Sequence, residues 1–169
     1  GLQRERLLPT LALLNDKLDV IEIDAGIDYR LRALEQAAVY LLPSDGDSTK
    51  RLMQVFTQVA HGAGHARPIM VEGREIKVIH RAPGVLWCDF AALCEGPRSQ
   101  NDYLDLAHRF HTVFVSAVPR LGPEQANAAR RFTWLVDVCY DHRVKLVLAA
   151  AVPAEELYVA GPQAGEFKR

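Results

Sequence analysis

Hydrophobic positions along the chain follow two patterns, one typical of helices and one typical of buried strands. Residues 99–110 and 123–141 place apolar side chains three and four positions apart, which is the spacing of one helix face. Residues 113–118 and 144–152 are instead continuous apolar runs, as expected of strands that are buried on both faces. Because these runs alternate with the helices, residues 84–152 are predicted to form a β-α-β-α-β unit with parallel strands and right-handed crossovers.

The first half of the chain follows the same two patterns less regularly. Residues 28–42 combine helix-favouring residues with alternating apolar positions, and we interpret them as two extended pieces. Turn-forming residues over 43–49 mark a boundary before the next helix. The other predicted elements are helices over 4–17 and 49–61 and strands over 19–24, 69–71, 75–79 and 85–88, with 69–71 and 75–79 forming a hairpin. The sequence thus predicts an α/β fold, a mainly parallel sheet flanked by helices, with a small β-hairpin insertion.

Composition restricts the class of protein. The chain has 169 residues, which suits one domain or one domain with part of another. Its 49% hydrophobic content excludes intrinsic disorder. With 20 basic and 21 acidic residues, the formal charge of -1 provides no overall positive field for nucleic acid. The longest apolar run, residues 146–154, is shorter than the ~20 residues of a membrane span, so no transmembrane segment is predicted.

Histidine and cysteine are candidates for metal binding and nucleophilic chemistry. Two histidine pairs have a spacing that suits a metal on a helix, namely His61 with His65 and His108 with His111. Glycines interrupt the first pair, the second spans a helix-to-strand boundary, and neither has a recognisable third ligand, so no metal site is predicted. The three cysteines form no C-x-x-C pair and are predicted to be buried in a protein of a reducing compartment: Cys88, Cys94 and Cys139.

The sequence lacks the glycine-rich signatures by which α/β domains hold phosphate groups. It contains no G-x-x-x-x-G-K-[ST] and no Gly-Lys dipeptide, and no G-x-G-x-x-G follows a predicted strand. The segment is therefore not expected to bind a nucleotide tightly by itself. Asp24 and Asp28 flank a glycine turn, where their carboxylates would either bind a cation or only form the turn, which is the commoner case.

Arginine side chains are the better candidates for binding an anion. Arg4 and Arg6 flank Glu5 near the start of the chain, and Arg98 directly precedes a predicted helix. Arg130 and Arg131 lie inside a helix that is otherwise largely apolar, so each must reach a carboxylate, a phosphate or water. Ordinary surface ion pairs with residues such as Glu124 or Asp137 remain an alternative explanation.

Several blocks of sequence resemble the ZapE family of AAA+ ATPases, which includes mitochondrial relatives. They are residues 1–9, 24–32, 85–94, 96–103, 110–113, 129–137, 140–146 and 153–158, in family order. The resemblance implies a fold related to the P-loop NTPases. It also implies three parts, with 1–43 as the remnant of the AAA+ nucleotide-binding core after sensor 1, 44–82 as a helical and hairpin connecting region, and 83–169 as a C-terminal α/β domain.

The same resemblance implies an ATP hydrolase that uses ATP and Mg²⁺ and forms a homo-oligomeric ring. It implies a link to bacterial cell division, with a tubulin-like division protein as a partner and a cytoplasmic location, peripheral at the inner membrane or the division site. The phosphate loop and the Mg²⁺-binding acidic strand are expected upstream of Gly1. The chain is therefore interpreted as part of a longer protein and is expected to be inactive by itself.

The resemblance also suggests roles for the arginines from their position in the AAA+ order. Arg4 or Arg6 falls where an arginine finger reaches the γ-phosphate of a neighbouring subunit. Arg98 is the candidate for a sensor-2-like contact with bound nucleotide, and Arg130 and Arg131 are second choices. The alternative function is a non-catalytic interaction module that binds a division or membrane-associated partner. An independent small-molecule enzyme is disfavoured because no catalytic pair stands out.

Overall fold

Six strands form the central sheet of the protein, in a computed structural model that describes residues 19–22, 38–42, 48–153 and 156–157. They are β1 (Asp19–Glu22), β2 (Ala38–Leu42), β5 (His80–Ala82), β6 (Val85–Asp89), β7 (Thr112–Val118) and β8 (Lys145–Ala150). Their order across the sheet is β1-β2-β8-β7-β6-β5. All neighbouring pairs are parallel except β5 with β6, so the predicted mainly parallel sheet is confirmed.

A separate two-stranded hairpin joins β3 (Ile69–Val71) to β4 (Arg74–Ile76), with Met70 opposite Glu75. The predicted hairpin insertion is confirmed, but its second strand is shorter than the predicted 75–79. The chain leaves the hairpin after Ile76 because the Ile79 N–H donates to the Trp87 carbonyl, 2.8 Å away. The following residues then form β5 at the edge of the main sheet, a strand that the sequence analysis missed.

Helices cover both faces of the sheet. In the described ranges they are α1 (Ser48–Ala60), α2 (Gln100–Arg109) and α3 (Ala126–Asp141), with a π-helical turn over Ala91–Glu95 and a 3₁₀ turn over Pro123–Gln125. Alternate side chains of each strand point to opposite faces, so Val85 and Trp87 pack with α1. Leu86 and Cys88 pack in a second cluster with α2 and α3. None of the described helices is long and apolar enough to cross a membrane.

The predicted β-α-β-α-β unit over 84–152 corresponds to β6-α2-β7-α3-β8, with three adjacent parallel strands. It forms because continuous apolar runs supply both faces of each strand while α2 and α3 bury their apolar stripes on the same side. The strand at Asp19–Glu22 and an extended piece at Ala38–Leu42 are also confirmed. The predicted helix over 4–17, the first extended piece of 28–42 and the Asp24–Asp28 turn lie outside the described residues.

Strands from the two ends of the chain share one sheet. β2 pairs with β8 from Ala38 opposite Leu146 to Leu41 opposite Ala149. The described strands of the predicted remnant 1–43 are therefore hydrogen-bonded into the same sheet as the strands of 83–169. The three-part division into 1–43, 44–82 and 83–169 itself stays a prediction.

Candidate functional site

A cavity of about 380 Å³ opens at the carboxyl ends of β6, β7 and β8, beneath the first turns of α1. In parallel sheets this is the edge at which ligands usually bind, because the strands end there and the loops that follow them diverge. The cavity is lined by Thr49, Leu52, Ile79, Trp87, Asp89, Ser116, Ala117, Ala149, Ala150 and Ala151. The sequence analysis singled out none of these residues.

Connections leave this edge in opposite directions. The chain after β2 leads to α1 on one face of the sheet, whereas β6 and β7 lead to α2 and α3 on the other face. The direction therefore reverses between β2 and β8, which are neighbours in the sheet. Such a reversal creates a crevice outside the carboxyl ends of the strands. The cavity adjoins this crevice, since β8 contributes Ala149 and Ala150 to its lining and Ala151 directly follows the strand.

Two polar side chains lie next to each other on the floor of the cavity. Asp89 and Ser116 are register partners on β6 and β7, so their side chains point to the same face of the sheet. One oxygen of Asp89, Oδ1, accepts the Ala92 N–H at 2.7 Å. The Ser116 Oγ accepts the indole N–H of Trp87 at 2.9 Å. Within the described part of the chain, the second Asp89 oxygen and the Ser116 hydrogen have no hydrogen-bond partner.

β7 is irregular where it reaches the cavity. The register with β8 shifts between Val115 and Val118, and Ala117 has a φ of 54° in the left-handed region. A residue with a Cβ in that region costs about 1–2 kcal/mol relative to ordinary strand backbone. Bulges of this kind are over-represented beside binding sites, where they redirect a strand. Here the bulge turns exposed Ala117 into the cavity wall.

The predicted nucleotide-contacting Arg98 lies away from this cavity. Its Nη2 donates to the Glu75 carbonyl at 3.0 Å and its Nε donates to the Ala92 carbonyl at 3.4 Å. The half-buried side chain therefore connects the β3–β4 hairpin to the π-helical turn. The sensor-2-like role of Arg98 stays a prediction.

The adjacent arginines of α3 differ in environment. Arg131 is half-buried and donates through Nη1 to the Cys94 carbonyl at 3.2 Å. Arg130 is exposed and lies over the Trp134 ring, with its Cζ 4.6 Å from the ring centroid. Among the residues that the structure describes, no carboxylate pairs with Arg130, so the alternative of an ion pair to Glu124 or Asp137 does not apply to it. Arg4 and Arg6 lie outside the described residues.

An ion pair with a buried carboxylate, which the sequence analysis did not anticipate, joins α2 to the hairpin. Asp102 is fully buried and accepts two hydrogen bonds from Arg74 Nη2, at 2.6 and 2.8 Å. It also accepts from the backbone N–H and the hydroxyl of Ser99, at 2.6 and 2.9 Å. Burial raises the pKa of Asp102, but these donors outweigh it and hold the pKa below its ordinary value. The sequence did contain a signal for the Ser99–Asp102 contact, because a serine three residues before an aspartate at a helix start is typical of a capping box.

The cysteines and histidines contact other side chains and backbone groups of the fold, and they do not form a metal site within the described residues. The three cysteines are buried and unpaired, as predicted. No group of three potential ligands that would suit a metal ion occurs within the described ranges. The His108 and His142 rings meet edge to face with centroids 5.4 Å apart, and His65 Nδ1 accepts the Arg67 N–H at 3.3 Å.

Comparison with known proteins identifies the relatives of this chain. It is 36% identical to the cell division protein ZapE of Escherichia coli K12, over all of this chain and 45% of that protein. It is 33% identical to lactation elevated protein 1 homolog B of Danio rerio, over all of this chain and 34% of that protein. The chain thus spans less than half the length of these relatives, and no solved structure matches it. The family model of the AFG1-like ATPases matches residues 1–169, so the chain belongs to the AFG1-like ATPase family.

Proposed function

We propose that this chain is the C-terminal portion of an AAA+ ATP hydrolase linked to bacterial cell division. The observation that carries the proposal is the match of all 169 residues to the AFG1-like ATPases. The likeness to a cell division protein supports the biological setting. On this proposal the protein works in the cytoplasm, peripherally at the inner membrane or the division site, with a tubulin-like division protein as its partner.

The chain's part in hydrolysis is to supply arginines and subunit contacts rather than to hold the phosphates. Its sequence contains no phosphate-binding loop, so ATP and Mg²⁺ are held by another segment and the chain alone is inactive. A guanidinium that reaches a neighbour's γ-phosphate stabilises the charge of the transition state. In GTPases such an arginine raises the rate by about 10³–10⁵.

The surroundings of the arginines support a ranking among them. Arg98 and Arg131 donate hydrogen bonds to backbone carbonyls, and this fixes neighbouring loops. Arg130 instead presents its guanidinium at the surface, where a neighbouring subunit can approach it. Of the described candidates, Arg130 is the one suited to a contact between subunits. Arg4 and Arg6 remain candidates because of their position in the family order.

The test is ATP hydrolysis by the full-length protein with Arg4→Ala, Arg6→Ala or Arg130→Ala. Arg120→Ala is the matched control, because Arg120 is exposed and its ion-pair partner among the described residues is Glu156, at 3.1 Å. The proposal expects turnover to fall by at least about a hundredfold in one of the three variants. It expects unchanged turnover in the control.

A mixing experiment establishes whether the arginine acts between subunits. The inactive arginine variant keeps its own phosphate loop and is mixed with a subunit whose phosphate loop is disabled. Recovered turnover in the mixed ring supports an arginine donated to the neighbour. Wild-type turnover in all three variants would instead favour the alternative, a non-catalytic module that binds a division or membrane-associated partner.

A further inference from the structure

The cavity at the carboxyl edge of the sheet is lined by the half-buried carboxylate of Asp89, the one formally charged group among its described lining residues. Asp89 uses one oxygen to accept the Ala92 N–H. In the described part of the chain, its other oxygen has no partner. Asp89 is half-buried beside the open cavity, so this oxygen can accept a charge-assisted hydrogen bond from a cationic donor that enters the cavity.

The local electrostatics favour a cation over an anion. Thr49 lies in the first turn of α1, and a helix amino end carries the equivalent of about +0.5 charge. The full negative charge of Asp89 exceeds this, and Lys50, the next residue of α1, does not line the cavity. Among the described residues that line the cavity, the net charge is therefore negative.

The size of the cavity and the apolar side chains of its walls indicate the size and apolar character of the ligand. The volume of about 380 Å³ is at the small end of the range for small-molecule pockets, roughly 300–1,000 Å³. Leu52, Ile79 and Trp87 supply apolar surface, while the short side chains of Ala117 and 149–151 leave the space open. A short alkyl chain that ends in a cationic group matches these walls.

Ser116 provides a second hydrogen-bonding group beside the carboxylate. Its Oγ accepts the Trp87 N–H, which fixes the hydroxyl in place and leaves a second lone pair for a ligand donor. Asp89 and Ser116 are register partners, so two N–H groups of one cationic head can reach both. The reversal of connections between β2 and β8 independently marks this edge as a ligand-binding position.

We infer that this cavity binds an organic cation, an alkylguanidinium or alkylammonium group, with Asp89 as its counter-ion and Ser116 as a second acceptor. The site goes beyond the proposed arginine contacts and uses none of their residues. The cation is either a free small molecule or a lysine or arginine side chain of a second copy of the chain.

The test is ligand-observed saturation-transfer NMR on the full-length protein with butylguanidinium chloride as the probe. A ligand of this size is expected to bind with a Kd on the order of 1 mM. Butylurea, which has nearly the same shape and no charge, and butanoate, which carries the opposite charge, are the matched ligands. Both are expected to bind at least about tenfold more weakly than butylguanidinium.

Two variants test the residues. Asp89→Asn keeps an oxygen for the Ala92 N–H but removes the charge, and it is expected to weaken butylguanidinium binding by about tenfold or more. Ala151→Leu narrows the cavity from its exposed rim and is expected to abolish binding. Asp105→Asn, at a carboxylate of α2 that does not line the cavity, is the control and is expected to leave binding unchanged.

Equal binding of butylurea, unchanged binding by Asp89→Asn, or no saturation transfer to butylguanidinium would each overturn the inference. Sedimentation velocity distinguishes the two sources of the cation. Self-association that butylguanidinium and Asp89→Asn both reverse identifies a side chain of a second copy. Binding with no change in association identifies a free small molecule.

Discussion

The Arg74 guanidinium lies 2.6 Å from a carboxylate oxygen of Asp102, across 28 residues of sequence. The two partners differ in exposure, since the side chain of Arg74 is 39% exposed while that of Asp102 is fully buried. Through this contact the β3–β4 hairpin is attached to the first turn of α2. The hairpin is therefore fixed to the body of the protein by an ion pair as well as by its apolar residues Ile69 and Ile76.

Asp102→Asn is expected to destabilise the fold by about 2–3 kcal/mol. The amide keeps one acceptor oxygen but loses the charge that Arg74 and Ser99 stabilise, at a side chain that is itself fully buried. Urea unfolding at neutral pH measures the loss. Asp105→Asn is the control, because Asp105 pairs with Arg109 at 3.5 Å on the surface and its loss costs about 0.5 kcal/mol or less. Equal effects would contradict the role assigned to burial.

The Asp102 carboxylate also makes the free energy of unfolding depend on pH in the acid range. Because hydrogen bonds from Ser99 and Arg74 outweigh the effect of burial, the pKa of Asp102 is lower in the folded state than in the unfolded chain. Its contribution is complete above the unfolded value of about 3.9 and is lost as pH falls through the lower folded pKa. Urea unfolding at a series of pH values below about 5 is expected to show a steeper loss for the wild type than for Asp102→Asn. Parallel curves would contradict this assignment.

Much of the fold is predictable because its information is local. The apolar runs of β7 and β8 and the stripes of α2 and α3 are properties of neighbouring residues, and each element lies within a few residues of its predicted bounds. The start of α2, predicted at residue 99 and observed at Gln100, is local in the same way. These features require no knowledge of which distant segments meet.

The features missed depend on contacts between distant residues. The position of β2 beside β8, the Arg74–Asp102 pair and the alignment of Asp89 with Ser116 join segments that are far apart in sequence. The cavity was missed because alanines have no chemistry of their own and become informative only when the sheet brings them together. The hydrogen bonds of Arg98 to two backbone carbonyls also join distant segments, so the sequence could not show them.

Ser116→Ala is expected to cost about 1 kcal/mol. The substitution removes the acceptor of the indole N–H of Trp87, a residue that is only 2% exposed. The adjacent cavity admits water, which limits the loss of stability. Ser116→Thr keeps the hydroxyl and is expected to retain most of the stability. Urea unfolding of both variants checks this expectation, and equal losses would show that the hydroxyl contributes nothing.

The three described arginine candidates are expected to differ in their effect on stability. Arg98→Ala and Arg131→Ala remove hydrogen bonds to backbone carbonyls and are expected to cost about 1 kcal/mol each. Arg130→Ala removes an exposed contact with Trp134 and is expected to cost about 0.5 kcal/mol. Thermal unfolding of the three variants ranks them. A larger loss for Arg130→Ala would show that it supports the fold rather than a contact between subunits.

The cysteines are expected to resist thiol reagents while the protein is folded. Burial raises the pKa of Cys88 and of Cys139 to about 12, and it raises that of Cys94 further. The reactive thiolate is therefore scarce at neutral pH, and the reagent has no access. Labelling with Ellman's reagent is expected to be slow in buffer and rapid in urea. Rapid labelling of the folded protein would contradict their burial.

The position of β8 has a consequence for synthesis on the ribosome. β8 is the last strand of the described chain, yet it lies inside the sheet between β2 and β7. Until Lys145–Ala150 leaves the exit tunnel, β2 and β7 each have an open edge towards the missing strand. Nascent chains that end before Lys145 cannot complete the sheet, and their open strand edges are the ones exposed to aggregation during synthesis.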